Sequence, residues 1–409
     1  MNNLRYNLNN NHPLIPNDNN YLYEKKYVSI NSEDRDILKY PNPAFFEIEL
    51  PQDYSNVYSV RLASWSFPAN YNVFSFFNGN LSFIFNIRDI YNPSDHGQDL
   101  PLYQAIYDAL NAKPRIDFIF DIEQGFYNPT QMATELTNKM NLAVTNYITT
   151  FFSENPQYAN EAKLFTGYTD FVVVYNSVVQ KLFFGNRSSG FDFPNDGLFY
   201  QSLEMSRRAL CRVDHREQPS FSNWGLPSYL GFTRCPSLSI STNDPNDYRF
   251  YYGSSTTTGN NNGVWISPNP NLPGANVFFL QAPLKINFMG PSYIYMELDD
   301  GSVSLNCIDE TVPYNISNFT KTTNQTNGIV NSCFAKIPVP TTPISQWYDN
   351  DMDPYKWFDP PAERIRKLRI KLRYHNGVLV DFGSFDWSIM IEFVLFKSQI
   401  AKKATVIKY

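Results

Sequence analysis

The sequence predicts a mainly β protein, with antiparallel sheet sandwiched or closed on itself and a few helices inserted. Three observations predict it. Short runs of strand-forming residues recur with turn residues between them, tight-turn pairs are spread from Asn78 to Gly377, and Phe, Tyr and Trp make up 16% of the chain. The 33 Phe, 28 Tyr and 6 Trp nearly match the charged residues, at 18%. Aromatic side chains fit a pleated surface and dominate contact energies at interfaces, so the excess suits a β protein with extensive packing partners.

Strand signals begin at Tyr27-Val28-Ser29-Ile30, continue through Ala44–Leu50 and reach Val57–Leu62, each bounded by Pro, Asn, Asp or Ser. Four turn pairs then stand between strand-like runs: Asn78-Gly79, Asn176-Ser177, Asp300-Gly301 and Asn376-Gly377. Each supplies residues that tolerate the positive φ of a tight hairpin. Helices read as insertions. The best signal is 128–148, where Asn128 caps, Pro129 suits the first helical position, Gln131 completes a capping box, and Met132, Leu136, Met140 and Val144 form one stripe. Weaker signals cover 100–111 and 155–165.

These signals divide the chain into an extended arm (1–26), a β-rich part (27–235), a polar excursion (236–275), a β-rich C-terminal part (276–396) and a basic tail (397–409). The Asn- and Pro-rich arm cannot close a core by itself. The excursion, rich in Ser, Thr, Asn, Gly and Pro, is the expected boundary if there are two β domains rather than one. The C-terminal part either completes the first sandwich or forms a second. No period of 20–50 residues is present, which excludes solenoids and propellers.

Composition also excludes several functions. A net charge of −6 argues against general nucleic-acid binding, which needs a broad cationic face. Cys211, Cys235, Cys307 and Cys333 show no CxxC pairing, so reduced thiols are expected. The polar N-terminal stretch is unlike a signal segment, and no uncharged apolar run reaches the ~18 residues of a membrane span.

Catalytic constellations fail one by one. His12, His96, His215 and His375 are too widely separated for a metal-binding motif, and neither GxSxG nor GxGxxG occurs. Gly185 and Gly190 have the spacing of a phosphate loop, but Phe191-Asp192 stands where Lys and Ser or Thr are needed. Arg212–Glu217 places a carboxylate beside an imidazole, but mixed charges in a loop are much the commoner origin of such a pattern. Asp349–Asp353 lacks the glycine and distal glutamate of a calcium loop. No enzyme activity, cofactor, metal or small-molecule substrate is therefore expected.

Partner contacts are expected instead. In 366–374, Leu368, Ile370, Leu372 and Tyr374 alternate with Lys367, Arg369, Lys371 and Arg373, so a strand here projects four cations from one face. That face is either solvated, with Lys blunting a sheet edge, or in contact with acidic neighbours that counter the repulsion. Nucleic acid or an anionic headgroup is a third reading. Trp347 and Trp357, flanking the acidic stretch, read as aromatic anchors of a surface loop. The tail is either frayed or adds a strand to a neighbouring sheet.

In order and spacing these segments resemble the minor capsid and penton-related proteins of nucleocytoplasmic large DNA viruses and their smaller relatives. The resemblance runs through Tyr27–Asp36, Tyr40-Pro41-Asn42-Pro43 and the strand 44–50, then Asn56–Leu62 and Phe67–Val73. It continues through Gly125–Thr130, Tyr229-Leu230-Gly231-Phe232, the segment 364–374 with its Asn376-Gly377 hairpin, and a last strand at 385–396. It implies a jelly-roll-related antiparallel β-sandwich, one or two of them, with extended terminal arms. It also implies a non-enzymatic place in the shell of a virion assembled in the host cytoplasm. The implied partners are the major capsid protein and other minor capsid proteins, with the internal viral membrane as a further neighbour. The polar excursion and the Asn-rich arm depart from a compact penton and favour an inner-face cementing protein. A penton at the five-fold vertex, or a glycan-binding attachment sandwich on the virion surface, are the alternatives.

Overall fold

The computed structural model describes residues 23–68, 72–76, 78–200, 225–243, 264–311, 331–339, 346–349 (backbone), 354–375 and 377–397. The chain forms two units, one of residues 1–71 and 291–409 and the other of residues 72–290. In chain order, the first unit opens with β1 (Tyr23–Asn31) and β2 (Phe45–Pro68). The second unit holds β3 (Ser82–Arg88), α1 (Pro101–Leu110), β4 (Phe118–Asp121), α2 (Pro129–Glu154), α3 (Ala159–Leu164), β5 (Phe171–Asn176) and β6 (Lys181–Asn186). It continues with β7 (Gly190–Phe193), α4 (Leu226–Tyr229), β8 (Ser237–Leu238), β9 (Ile240–Thr242) and β10 (Val277–Gln281). The chain then returns to the first unit with β11 (Tyr293–Asp299), β12 (Ile308–Asp309), β13 (Ser332–Cys333), β14 (Ala335–Pro338), β15 (Gln346–Asp349), β16 (Tyr355–Arg373) and β17 (Ser388–Phe396).

The first unit is built on a seven-stranded antiparallel sheet in the order β1-β17-β2-β16-β11-β14, with β15 also paired to β2. One face is apolar: Val28 and Ile30, Phe46, Leu368, Ile370 and Leu372, and Ile389, Ile391 and Phe393 alternate inward along four strands. Leu305, Phe334, Phe382 and Trp387 cover that face from the connecting segments. The strands read at 44–50 and 57–62 are one strand, β2. Its pairing with β16 shifts register between Ile365 and Lys367 and between Trp357 and Ala362, and Asn56 sits at φ +53°. The turn-forming residues make bulges because β16 pairs with β2 on both sides of the irregularity.

The arm expected over 1–26 gives way to strand by Tyr23, where β1 begins pairing with β17; residues 1–22 lie outside the described residues, as do 398–409 of the tail. The hairpin expected at Asn376-Gly377 does not carry β16 into β17. Asn376 is not described; Gly377 turns the chain only as far as an isolated Arg373–Leu379 bridge, and β2 lies between β16 and β17. Residues 378–387 instead send Val380, Phe382 and Trp387 into the core. Asp300-Gly301 likewise forms a turn closed by an Asp299–Ser304 bridge without a second strand. Asn78-Gly79 forms a turn, but β3 pairs with β4 and β7. Asn176-Ser177 does join paired neighbours, β5 and β6.

The second unit is a β-sandwich with helices inserted. Two four-stranded sheets, β5-β6-β10-β9 and β4-β3-β7-β8, meet through phenylalanines. Phe83 and Phe85 of β3, and Phe191 and Phe193 of β7, lie 5.1–6.3 Å from Phe171 of β5 or Phe184 of β6, centroid to centroid. Offset and edge-on ring pairs at these distances add ~0.5–1.5 kcal/mol each beyond their buried area. The polar excursion 236–275 falls inside this unit, so it is not where the two units part; they part near residues 71 and 290.

Helix α2 follows the sequence signal and runs past it to Glu154, with the Asn128–Gln131 capping box formed and Ile148 and Phe152 extending the buried stripe. Its neighbouring face does a second job. Thr137, Asn141 and Thr145, one turn apart, bond to the free edge of β5 and the chain before it. Thr137 Oγ1 accepts from Val173 N at 2.9 Å, Asn141 bonds both N and O of Phe171, and Thr145 Oγ1 accepts from Tyr168 N. The row closes a sheet edge that would otherwise present unpaired amides. Asn141→Leu leaves the Phe171 N–H and C=O without partners, and we expect a loss of ~1–3 kcal/mol in urea unfolding.

Candidate partner-contact surface

The face of the first unit's sheet turned away from its apolar core carries the cationic stripe. Lys367, Arg369 and Lys371 all lie there, and the sequence alternation places Leu368, Ile370, Leu372 and Tyr374 on the buried side as expected. The countercharges are in the same sheet. Lys367 Nζ lies 3.0 Å from Glu47, Arg369 lies between Glu47 at 3.7 Å and Asp299 at 3.8 Å, and Lys371 lies 3.2 Å from Glu297. These are cross-strand pairs of opposite charge with β2 and β11, the arrangement a sheet favours. Lys367 holds the Glu47 carboxyl below its ordinary value. The acidic neighbours that four cations require are therefore supplied by this chain's own strands.

Arg373 departs from the stripe. Its side chain is 2% exposed and bonds Glu297 and Glu310, with Tyr295 5.3 Å from the guanidinium carbon. Glu310 also meets His375 Nδ1 at 3.0 Å. An outward-facing contact role for Arg373 is overturned by this burial. The backbone at Trp347 pairs with Phe67, and its side chain lies outside the described residues. Trp357 is an exposed aromatic, as expected, but it stands on strand β16 rather than on a loop.

Trp357 belongs to a groove that the sequence did not announce. Rings follow one another across β17, β1, β2 and β16. Phe396 and Tyr23 lie 5.0 Å apart, Tyr23 and Tyr58 5.2 Å, Tyr58 and Trp357 5.2 Å, and Trp357 and Tyr355 5.2 Å. Tyr23, Tyr58, Trp357 and Tyr355 border a groove of about 600 Å³ that Lys25, Ser59, Glu392 and Val394 also line. Glu392, fully buried, accepts from Tyr27 Oη at 2.7 Å, Arg61 Nη2 at 3.1 Å and Lys25 Nζ at 3.3 Å. Burial pushes its carboxyl up, but Tyr27, Arg61 and Lys25 together bring it below the ordinary value. Its contribution to stability is thus present above the ordinary carboxylate range and is lost as pH falls through the lowered value.

Comparison with known proteins adds a loose likeness. No protein-family model matches the chain, and no curated protein matches it. Several solved structures can be superposed on it, two of them from viruses. The selenomethionine-labelled mavirus penton protein matches with 9% identity and a TM-score of 0.36, over 91% of this chain and 98% of that one. A chain of the Sputnik virophage, solved by cryo-EM at 3.5 Å, matches with 14% identity and a TM-score of 0.35 over the same shares. Likeness at that level is too slight to transfer a function.

The second unit holds a separate polar cluster around a small cavity of about 60 Å³. Asp170, 6% exposed, accepts from Ser188 Oγ at 2.5 Å and Asn269 Nδ2 at 2.7 Å, and Tyr168 Oη accepts from Asn186 Nδ2. Burial raises the Asp170 carboxyl above its ordinary value, so its sign is opposite to that of Glu392. Its favourable share of stability is present below the ordinary carboxylate range and is lost as pH rises through the raised value. Asp170→Asn is expected to hold or increase stability at pH 7.5 and to remove this share of the pH dependence, read from thermal melts at acid and neutral pH. A lower melting temperature at pH 7.5 contradicts the assignment.

The remaining sequence candidates do not assemble. Gly185 and Gly190 belong to β6 and β7, and Asn186 Oδ1 closes the turn between them by accepting from the Ser188 and Ser189 amides. His96 stacks on Tyr91 at 4.8 Å in the second unit, whereas His375 lies in the first. Arg212–Glu217 and Asn350–Asp353 lie outside the described residues. Tyr229-Leu230-Gly231-Phe232 ends the short helix α4 and leads out of it, and Gly231, at φ +91°, leaves room for the Leu284 carbonyl. Cys235, Cys307 and Cys333 are free thiols. Among the described residues no group of three or more His, Cys, Asp or Glu is placed to hold a metal, and no helix is long and apolar enough to cross a membrane.

Proposed function

We propose that the chain is a virion structural protein, a minor capsid protein that bridges or cements major-capsid capsomers on the inner face of an icosahedral shell. One observation carries the reading. The segments that resemble capsid-associated proteins at the two ends of the chain, 27–36, 44–50, 56–62, 364–374 and 385–396, come together in one sheet as β1, β2, β16 and β17. An ordered set of short motifs separated by some 300 residues that converge on one packed sheet reads as the signature of a fold, and its chemistry is that of contact. The outer face of that sheet offers Lys367, Arg369 and Lys371 already paired with carboxylates. Such a face docks through a hydrogen-bonding network and shape rather than by neutralising an excess charge.

Hydrogen exchange compares the purified chain with the chain in particles. The reading requires added protection on the outer-face strands β1 and β16 and on the terminal segments in the particle. Equal protection in both states removes the cementing role.

A further inference from the structure

We propose that the aromatic groove of the first unit is a carbohydrate-binding site, taking a short glycan whose pyranose C–H faces rest on Trp357 and Tyr58. Three features of the groove point to this ligand class. Trp357 is 56% exposed although it stands on a strand, and Tyr355 stacks behind it at 25° between planes. A flat aromatic face held open to solvent is a platform for the weakly positive C–H face of a sugar ring. Ser59, the cross-strand partner of Trp357, has a fully buried hydroxyl with no hydrogen-bond partner on the groove floor. Buried polar groups are ordinarily satisfied, and none of the described residues bonds this one. The Lys25 ammonium, half exposed, gives one bond to Glu392 and has further donors directed to solvent.

The alternation of apolar faces with hydrogen-bonding groups favours a saccharide over a second protein. The dry centre of a protein interface is depleted in charge, whereas here Lys25 and Glu392 line the groove as an ion pair that Arg61 also joins. Sealing that cluster under an apolar partner carries a desolvation penalty. A sugar offers hydroxyls to the half-exposed Lys25 ammonium instead. The groove volume of about 600 Å³ is that of a small-ligand cleft rather than a deep cavity. The inference does not depend on where the chain sits in a shell.

Saturation-transfer NMR with cellotriose, chitotriose and lactose, each added to the full chain, tests it. The expected result is transfer from the protein to pyranose C–H protons of at least one probe, with a dissociation constant of about 1 mM or tighter. Trp357→Ala, an exposed substitution, should weaken binding at least about tenfold while the thermal melt is unchanged, and Lys25→Ala should weaken it less. No transfer to any of the three probes overturns the proposal, as does transfer that Trp357→Ala leaves intact. If no saccharide binds and Trp357→Ala instead blocks entry into particles, the groove is a protein contact. That outcome also overturns the carbohydrate assignment, and it leaves the structural role standing.

Discussion

Replacing Arg373 by Leu is expected to cost ~3–5 kcal/mol in urea unfolding, the range found when one partner of a buried ion pair is removed. The guanidinium is held between Glu297 of β11 and Glu310, the latter 4% exposed, and it bonds both. Burial works against the arginine's charge, and the two carboxylates more than offset that effect. Without Arg373, Glu310 keeps His375 Nδ1, at 3.0 Å, as its side-chain partner among the described residues, in a place with little water. The loss should be partly recovered in Arg373→Leu/Glu310→Leu, because removing both charges also removes the uncompensated one. A double variant whose loss equals the sum of the Arg373→Leu and Glu310→Leu losses would show that the pair is not coupled.

Phe67→Ala is expected to be as damaging, also ~3–5 kcal/mol, for an apolar reason. Phe67 is fully buried in the first unit's core, stacked on Phe382 at 5.5 Å and within 5.4–5.6 Å of Trp387 and Trp65. These rings come from different segments, so the cavity left by truncation opens where β2 meets the chain between β16 and β17. Amide protection in β2 and β17 should fall while protection in β5 and β6 of the second unit is kept. A stability change below about 1 kcal/mol would mean that the site collapses around the lost ring.

Local features were legible in the sequence and pairings were not. Asn128, Pro129 and Gln131 announced α2 because a helix N-terminus is specified within four residues, and the Leu368, Ile370, Leu372, Tyr374 alternation announced β16 because a strand face repeats every second residue. Which strand lies beside which is set by contacts hundreds of residues apart. The partners of the cationic stripe show this: Glu47 lies 320 positions from Lys367, and Glu310 lies 63 from Arg373. Tight-turn residues proved ambiguous because the same conformations serve bulges and short returns. Asn56 bulges a continuous strand, and Gly377 redirects the chain into the core. The Thr137, Asn141, Thr145 row had a local signal in its spacing of four, but its meaning depended on an edge strand beside it. Of the groove only Trp357 stood out, since Tyr23 and Tyr58 come from β1 and β2 and share no local pattern with it.

The structural role rests on the chain being a stoichiometric part of the particle, and quantitative mass spectrometry of gradient-purified, nuclease-treated virions tests that most directly. The account predicts a fixed copy ratio to the major capsid protein that survives high-salt washing. A ratio that varies between preparations, or loss of the chain in the wash, would contradict it.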